Sequence, residues 1–384
     1  MTAALAFARH GFRVVVLEQA EGLEETGAGI QLSPNATRIL IALGLTDALL
    51  PRVVAPVGLR VRDGRSGREI VRMPLGEAAA ARYGAPYWVI HRGDLQAALA
   101  GAATERLDVR VKLGMHADDF AVHSNGVTVS TRQRGAPFHE HGAAFVAADG
   151  LWSATRAQLG YGAPPRFAGR TAWRALVPAK LVAAEWREPW VELWLGRDAH
   201  VVHYPVRGGS LINVVVIADD TWHARGWSEP AAPTELLARF AARQWAPKAL
   251  GLLNAPQAWL KWALYDRRPL LRWARGPVTL LGDAAHPMLP YLAQGAAMAI
   301  EDAAVAADCL ARSPDDPPAA WRRYEAIRRR RTRKAQRLAA RNGARYHLGG
   351  VQAMLRNAGM RTLGGVRLLH HYDWLYEWRP PGRP

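Results

Sequence analysis

The chain has one cysteine, Cys309, in 384 residues. That excludes an intramolecular disulfide and suits a reducing, cytoplasmic setting. No apolar run reaches the roughly 18 residues a membrane-spanning helix requires. The N-terminus lacks the basic, apolar and cleavage regions of a secretory signal. Zinc-finger spacings, RNA-binding signatures, internal repeats and Ser-His-Asp or Cys-His patterns are missing. The pair His370-His371 has no metal-ligand partners at a recognisable spacing, so no metal site is expected. Acidic residues are the minority, 33 against 50 Lys and Arg, giving a formal charge of +17. Such a balance admits nucleic-acid binding. The charges are spread along the chain, however, and the one dense run, Arg328 to Lys334, lies on a long helical pattern. The expectation is solvated basic faces, no nucleic-acid partner, and a potential that draws in anionic ligands.

Apolar residues make up 49% of the sequence, so a packed core is expected. The length suits two domains, or one large α/β domain with an excursion. Monomer and homodimer both stay open.

From Thr2 to His10 the chain reads as a helix, stopped at Gly11. Phe12 to Leu17 reads as a buried strand ending at Glu18. Helix, glycine, strand and terminal acid make the second half of a dinucleotide-binding βαβ unit, whose acid holds a ribose hydroxyl. The glycine fingerprint belongs about 20 residues earlier. Counting back from Glu18 lands upstream of Met1. The fingerprint and its strand are therefore missing, the true start is expected upstream, and cofactor binding is expected to be weak in the chain as given. Gly27 to Gln31 reads as a flexible loop whose backbone, at Gly29 and Ile30, can approach a ligand. Pro34 then opens a helix ended by Gly44.

Residues 53–75 alternate around Asp63-Gly64 and Ser66-Gly67, as a hairpin. Arg92 follows the strand Tyr87 to Ile90, where it can clamp a phosphate or ribose. Asp94 reads as the N-cap of the next helix. Short strands follow at 109–113, 120–122, 127–131 and 143–148. The last ends at Asp149-Gly150, before a helix containing Arg156. From Arg170 to Leu271 tryptophan is frequent, including Trp173, Trp194, Trp227 and Trp259. Strands at 190–195, 201–205 and 211–217, the last pair joined at Gly208-Gly209, predict an antiparallel sheet. The run Val278 to Leu281 stops at Gly282-Asp283. After a Pro-punctuated loop, a helix opens at Gly295, where unpaired N–H groups can face an anion or an electron-rich ring. Two strand-end aspartates, Asp149 and Asp283, predict one ligand crossing the carboxyl edge of one parallel sheet. Long helices and an aromatic tail, Tyr372 to Trp378, close the chain.

Taken together, Glu18 after its strand, GAGIQLSPNATRIL (27–40), HRGDL (91–95), AADGLWSATR (147–156) and GDAAHPMLPYLAQGAAMAIEDA (282–303) resemble the FAD-dependent aromatic hydroxylases. These are the single-component flavoprotein monooxygenases that include salicylate hydroxylase and 3-hydroxybenzoate 6-hydroxylase. The resemblance covers essentially the whole chain. It implies an α/β fold: a Rossmann-like FAD-binding domain lacking its first strand, an inserted antiparallel substrate sheet, and C-terminal helices. The expected boundaries are 1–169 and 273–345 for the FAD-binding parts, with the 53–75 hairpin inserted in the first. The substrate sheet is expected at 170–272 and the tail at 346–384.

The resemblance also implies roles. Glu18 would bind the adenosine ribose of FAD, and Arg92 the ribityl and phosphate region. Gly29 and Ile30 would join this cofactor set. Asp149 and Gly150 would serve FAD and the co-substrate, NADH or NADPH. Asp283 would hold ribityl or ribose hydroxyls. Gly295 and Ala296 would bring the helix N-terminus to the flavin ring. Oxygen would be transferred through a flavin hydroperoxide to a small aromatic substrate, a hydroxybenzoate-like or heteroaromatic acid. Attack is faster on a phenolate, so a base is useful; His203 is the candidate. Gln294 would hold the substrate hydroxyl. Tyr204 is a weak substitute for His203, and His286 is expected to be structural. Oxygenation of another aromatic or polyketide-type compound, and a remnant with impaired FAD binding, are the competing readings.

Overall fold

The computed structural model describes residues 1–23, 28–223 and 228–381. Thr2–Arg9 is a helix and Val14–Glu18 a strand, as the valine run predicts. That strand pairs in parallel with Val109–Leu113. Phe145–Ala147 pairs in parallel with Val278–Leu280, whose other side pairs antiparallel with Ala274–Arg275. These are two separate sheets. Val14, Leu17, Phe145 and Val146 nevertheless pack on one apolar cluster around Leu280, Trp321 and Tyr324. Among the described residues, no strand bridges Val14–Glu18 and Phe145–Ala147.

The larger sheet has eight strands. Its centre is the run Arg166–Pro178, Leu211–Asp219, Ala199–Val206 and Trp190–Gly196, each pair antiparallel. Trp259–Asp266 extends one side. On the other side the hairpin Gly58–Asp63 and Glu69–Pro74 joins through a parallel pairing with Trp190–Gly196. The hairpin at 53–75 therefore pairs into the eight-stranded sheet, although in sequence it lies within the segment 1–169. Cross-strand packing decides its position, and the alternating pattern reports only that a hairpin exists. The outer face of this sheet buries Trp173, Trp194 and Trp259 against the helices Pro233–Ala242 and Pro247–Asn254. Trp227 lies outside the described residues.

Small-residue helix Gly295–Ala311 runs unbroken through Glu301-Asp302. It is clamped by the long helix Pro317–Tyr346. Their contact is ionic and dry. Arg328 Nε donates to Asp302 Oδ1 at 2.6 Å, and its Nη1 pairs with Glu301. Arg331 adds a bond to Glu301 Oε2 at 2.7 Å. Arg328, Glu301 and Asp302 are each 0% exposed. The Trp378 ring caps the pair, 4.9 Å from the Arg328 guanidinium and 4.8 Å from that of Arg331. Burial pushes the Asp302 carboxyl up, but His286 and Arg328 outweigh it and hold the group at about 2. The run Arg328 to Lys334, expected as a solvated basic face, is thus partly inward. Helical spacing places Arg328 and Arg331 on the buried side.

Arg328→Ala should strand two buried carboxylates, with a loss of about 3–5 kcal/mol in urea unfolding. A loss below about 1 kcal/mol would show that the cluster does not hold the helices together. The folded pKa of Asp302 lies below the ordinary unfolded value, so its contribution is present above about pH 4 and disappears as pH falls through about 2. In acid titration of the intact protein, stability should decline over that window. Asp302→Asn should flatten the decline.

Candidate active site

At the end of Val278–Leu280 the backbone turns through Gly282–Ala284. Gly282 has φ 62°, and a Cβ there would stand 3.1 Å from the Ala299 Cβ. Only glycine combines that conformation with so close a helix. Its N–H donates to Asp302 Oδ2 at 3.1 Å. His286 Nε2 bonds the same oxygen at 2.5 Å, with its ring against Trp273. His286 is therefore structural, as expected. Arg156 reaches across from the Asp-Gly segment and donates to the carbonyls of Ala284 (3.0 Å) and Ala285 (3.4 Å). The two strand-end motifs are thereby bolted together.

Asp283 is left without a partner among the described residues and stays open to the cleft. Although it is exposed, desolvation by the neighbouring protein pushes its carboxyl above the ordinary value, with His286 and Arg92 pulling the other way. Its Oδ1 lies 4.0 Å from the position a Cβ on Gly295 would take. Gly295 and Ala296 open a helix of 17 residues, so its positive end borders the same space. The Arg92 side chain, at the start of helix Arg92–Thr104, has no partner among the described residues. A carboxylate for hydroxyls, a cation and a helix N-terminus thus converge on one cleft. These groups fit the ribityl chain and ring of FAD.

The other expected cofactor residues sit at strand ends but are spread out. Glu18 ends its strand and accepts a bond from the Ala20 N–H at 2.9 Å. Asp149 accepts from the Thr155 N–H at 3.2 Å. Gly150 has φ 76°. Asp149 leaves the sheet beside Asp283, because Ala147 pairs with Leu280. Asp94 does not cap its helix: His91 holds that position, and Asp94 pairs with Arg207 at 3.2 Å. Gly29 and Ile30 are not in a loop. They form a strand with His91 and Ile90, and Gly27 lies outside the described residues. The Gly29 N–H donates to Asn213 Oδ1 at 2.7 Å, and a Cβ there would stand 2.6 Å from the Tyr204 ring. Gly29 is thus required for close packing on the larger sheet.

The structure places both catalytic candidates, His203 and Gln294, in buried contacts. Alternation along Ala199–Val206 sends His203 to the outer face. There it accepts a bond from Trp194 Nε1 at 3.3 Å and packs on Trp186. Burial pushes it down to about 3. Gln294 does precede the helix, yet it is 1% exposed. Its amide donates to Ser33 Oγ at 2.8 Å and accepts from Asn35 Nδ2 at 3.2 Å. It holds the loop in place and offers little to a substrate.

The inner face of the sheet looks toward the Pro290–Leu292 turn and the helix beyond it. Cross-strand rows place Ala172, Ile217 and His200 abreast, then Arg174, Val215 and Val202, then Leu176, Asn213 and Tyr204. Two of these were missed by sequence reasoning. Arg174 has no ion pair or hydrogen bond among the described residues, and its guanidinium lies 4.6 Å from the Trp262 ring. Burial lowers its pKa. His200, 2% exposed, shares the face of Tyr204. The available signal was parity: residues at even spacing from Tyr204 include His200 and exclude His203.

The profile of the FAD binding domain family matches residues 1–339. The chain belongs to this family. It is 39% identical over 378 residues to a 3-amino-4-hydroxybenzoate 2-monooxygenase of Streptomyces platensis, covering 98% of this chain and 92% of that protein. It is 36% identical over 381 residues to a 3-hydroxybenzoate 6-hydroxylase of Polaromonas naphthalenivorans, covering 98% and 93%. Among solved structures, a salicylate hydroxylase substrate complex superposes with a TM-score of 0.80 at 25% identity, over 98% of this chain and 92% of that one. Klebsiella pneumoniae HpxO complexed with FAD and uric acid gives 0.82 at 26% identity, over 96% and 92%. The protein is an FAD-dependent aromatic hydroxylase, and its cofactor is FAD.

Asp283→Asn keeps the shape but removes the carboxylate. FAD retention, read as flavin-to-protein absorbance after gel filtration, should weaken by about tenfold in Kd, the worth of one charged hydrogen bond. Unchanged occupancy would detach Asp283 from the cofactor. Gly29→Ala should displace Tyr204 and lower the melting temperature.

Proposed function

We propose that the protein hydroxylates the ring of a hydroxybenzoate-like or heteroaromatic acid, using NADH or NADPH and oxygen, in the cytoplasm. The reading is carried by Arg174: a half-buried cation with no hydrogen-bond or ion-pair partner among the described residues, on the wall that faces the helix N-terminus. An unpaired charge partly removed from water is costly, and a substrate carboxylate would relieve that cost. The hydroxybenzoate names of the relatives support the same class. Bound FAD, reduced by the nicotinamide co-substrate, supplies the activated oxygen.

The chain's own residues do the rest. Arg174 orients the acid group, with Trp262 shielding the guanidinium from water. Tyr204, Val215 and Leu176 present a largely apolar wall to the ring. His200 accepts the proton of the ring hydroxyl at Nε2, because a phenolate is attacked faster than a phenol. Burial keeps His200 neutral near pH 7, so its lone pair is available.

Oxidation of NADH and NADPH should be stimulated by 3-hydroxybenzoate or 3-amino-4-hydroxybenzoate, with a hydroxylated product detected chromatographically. Stimulation by none of a panel of aromatic acids would overturn the reading. Arg174→Met should raise KM for the acid about ten- to a hundredfold, in keeping with one charged hydrogen bond. The corresponding amide substrate should lose this difference.

A further inference from the structure

Behind His200 lies a chain of groups that the hydroxylase reading does not use. His200 Nδ1 is 2.9 Å from His347 Nε2. His347 Nδ1 is 2.9 Å from Asp219 Oδ1. Arg170 Nε donates to the same carboxylate oxygen at 2.8 Å. His200 is 2% exposed and His347 7%, whereas the Asp219 side chain is 44% exposed. Asp219 lines a surface cavity of about 420 Å³ with Asp220, Thr221 and Arg239. The chain therefore starts on the inner face of the sheet and ends in solvent.

Its hydrogen-bond directions are determined from the solvent end. An ionised carboxylate only accepts, so a neutral His347 must donate from Nδ1. His347 Nε2 is then an acceptor, and His200 Nδ1 must donate to it. The free lone pair of His200 falls on Nε2, which has no partner among the described residues. Asp219, at the surface, thus sets the tautomer of the buried base.

We propose that His200, His347 and Asp219 conduct the substrate's phenolic proton from the pocket to the surface cavity, with His347 and Asp219 acting as relay and positioning residues behind the base. The inference rests on the hydroxylase reading above. The ring hydroxyl gives its proton to His200 Nε2, and the O–H bond breaks while an N–H bond forms. His200 Nδ1–H passes to His347 Nε2, and His347 Nδ1–H passes to Asp219, which releases it to water. No electron changes hands. Returning a proton along the same path to the product oxygen restores both tautomers. The charged and titratable groups facing the chain are Arg170 on the adjoining strand Arg166–Pro178, Tyr291 in the Pro290–Leu292 turn, Tyr346 beside His347, and Asp198 in the turn before Ala199. Burial lowers both histidines. Asp219 stays below its ordinary value, burial being outweighed by His347 and Arg170. Neutral imidazoles and an ionised terminus are the states the chain requires.

Asp219→Asn on the FAD-loaded protein separates this from a packing role. An asparagine amide oxygen in that place still accepts from Arg170 Nε and His347 Nδ1, so the tautomers are kept, but the terminus has lost its charge and can no longer take the proton. The fraction of bound 3-hydroxybenzoate present as phenolate, read by ultraviolet difference absorbance across pH, should shift to higher pH. kcat at pH 7 should fall about a hundredfold, as expected for loss of a general base, with KM little changed. The rate should recover at high pH or with a more acidic ring-nitrated analogue. His347→Gln is the second variant, since it breaks the relay while retaining hydrogen bonds, and it should slow proton release to a pH indicator. Wild-type phenolate profiles and kcat in both variants, with melting temperature and flavin content intact, would overturn the relay alone. Failure of the wild-type protein to bind any phenol would overturn the hydroxylase reading and the relay together.

Discussion

Arg328 sits inside the protein with its charge fully answered. Two successive carboxylates on one helix, Glu301 and Asp302, take its two sides, and both are removed from water. Burying three charges is tolerable only because their geometry satisfies one another. Much of the site depends on that arrangement. Asp302 is shared with the Gly282 N–H and with His286, which shapes the turn that presents Asp283. Glu301 is shared with Asn35, which in turn reaches Gln294 at the helix start. One cation therefore positions the strand-end turn, the helix N-terminus and the Ser33–Asn35 segment at once.

Against this paired interior, the unpaired charges stand out. Asp283, Arg92 and Arg174 have no hydrogen-bond or ion-pair partner among the described residues; Asp283 is exposed and the two arginines are half-buried. A folded chain that satisfies Arg328 so thoroughly does not leave such groups idle without a ligand to meet them. They divide by location. Asp283 and Arg92 border the helix N-terminus, where a polyhydroxyl chain and an electron-rich ring belong. Arg174 stands on the sheet across from it, where an acid group would dock. In the proposed reading, cofactor and substrate would meet between these two sets of groups.

Strand ends were the most legible feature of the sequence. Glu18, Asp149 and Asp283 each follow an apolar run and a turn signal, and each lies at the end of a parallel strand. The helix opening at Gly295 was equally plain. Side-chain direction within the inserted sheet was not. His203 and Gln294 have the right chemistry, but the sequence does not show that His203 meets Trp194 across the sheet or that Gln294 joins a buried amide network. His200 and Arg174 carry no local signature, because their significance comes from the partners they have or lack across the sheet. The 53–75 hairpin was recognisable from its turns, yet its placement depends on pairing with residues more than a hundred positions away.

That pairing has a consequence for biosynthesis. Arg60 meets Glu192 across the parallel ladder of Gly58–Asp63 and Trp190–Gly196, a separation of 132 positions. Contacts this distant are entropically expensive to close and slow to form. During synthesis the hairpin waits, with one edge uncovered, until Trp190–Gly196 has left the ribosome. Exposed strand edges of that kind are sites of misassociation, so the interval between making residue 74 and residue 196 is the vulnerable stage in this enzyme's maturation.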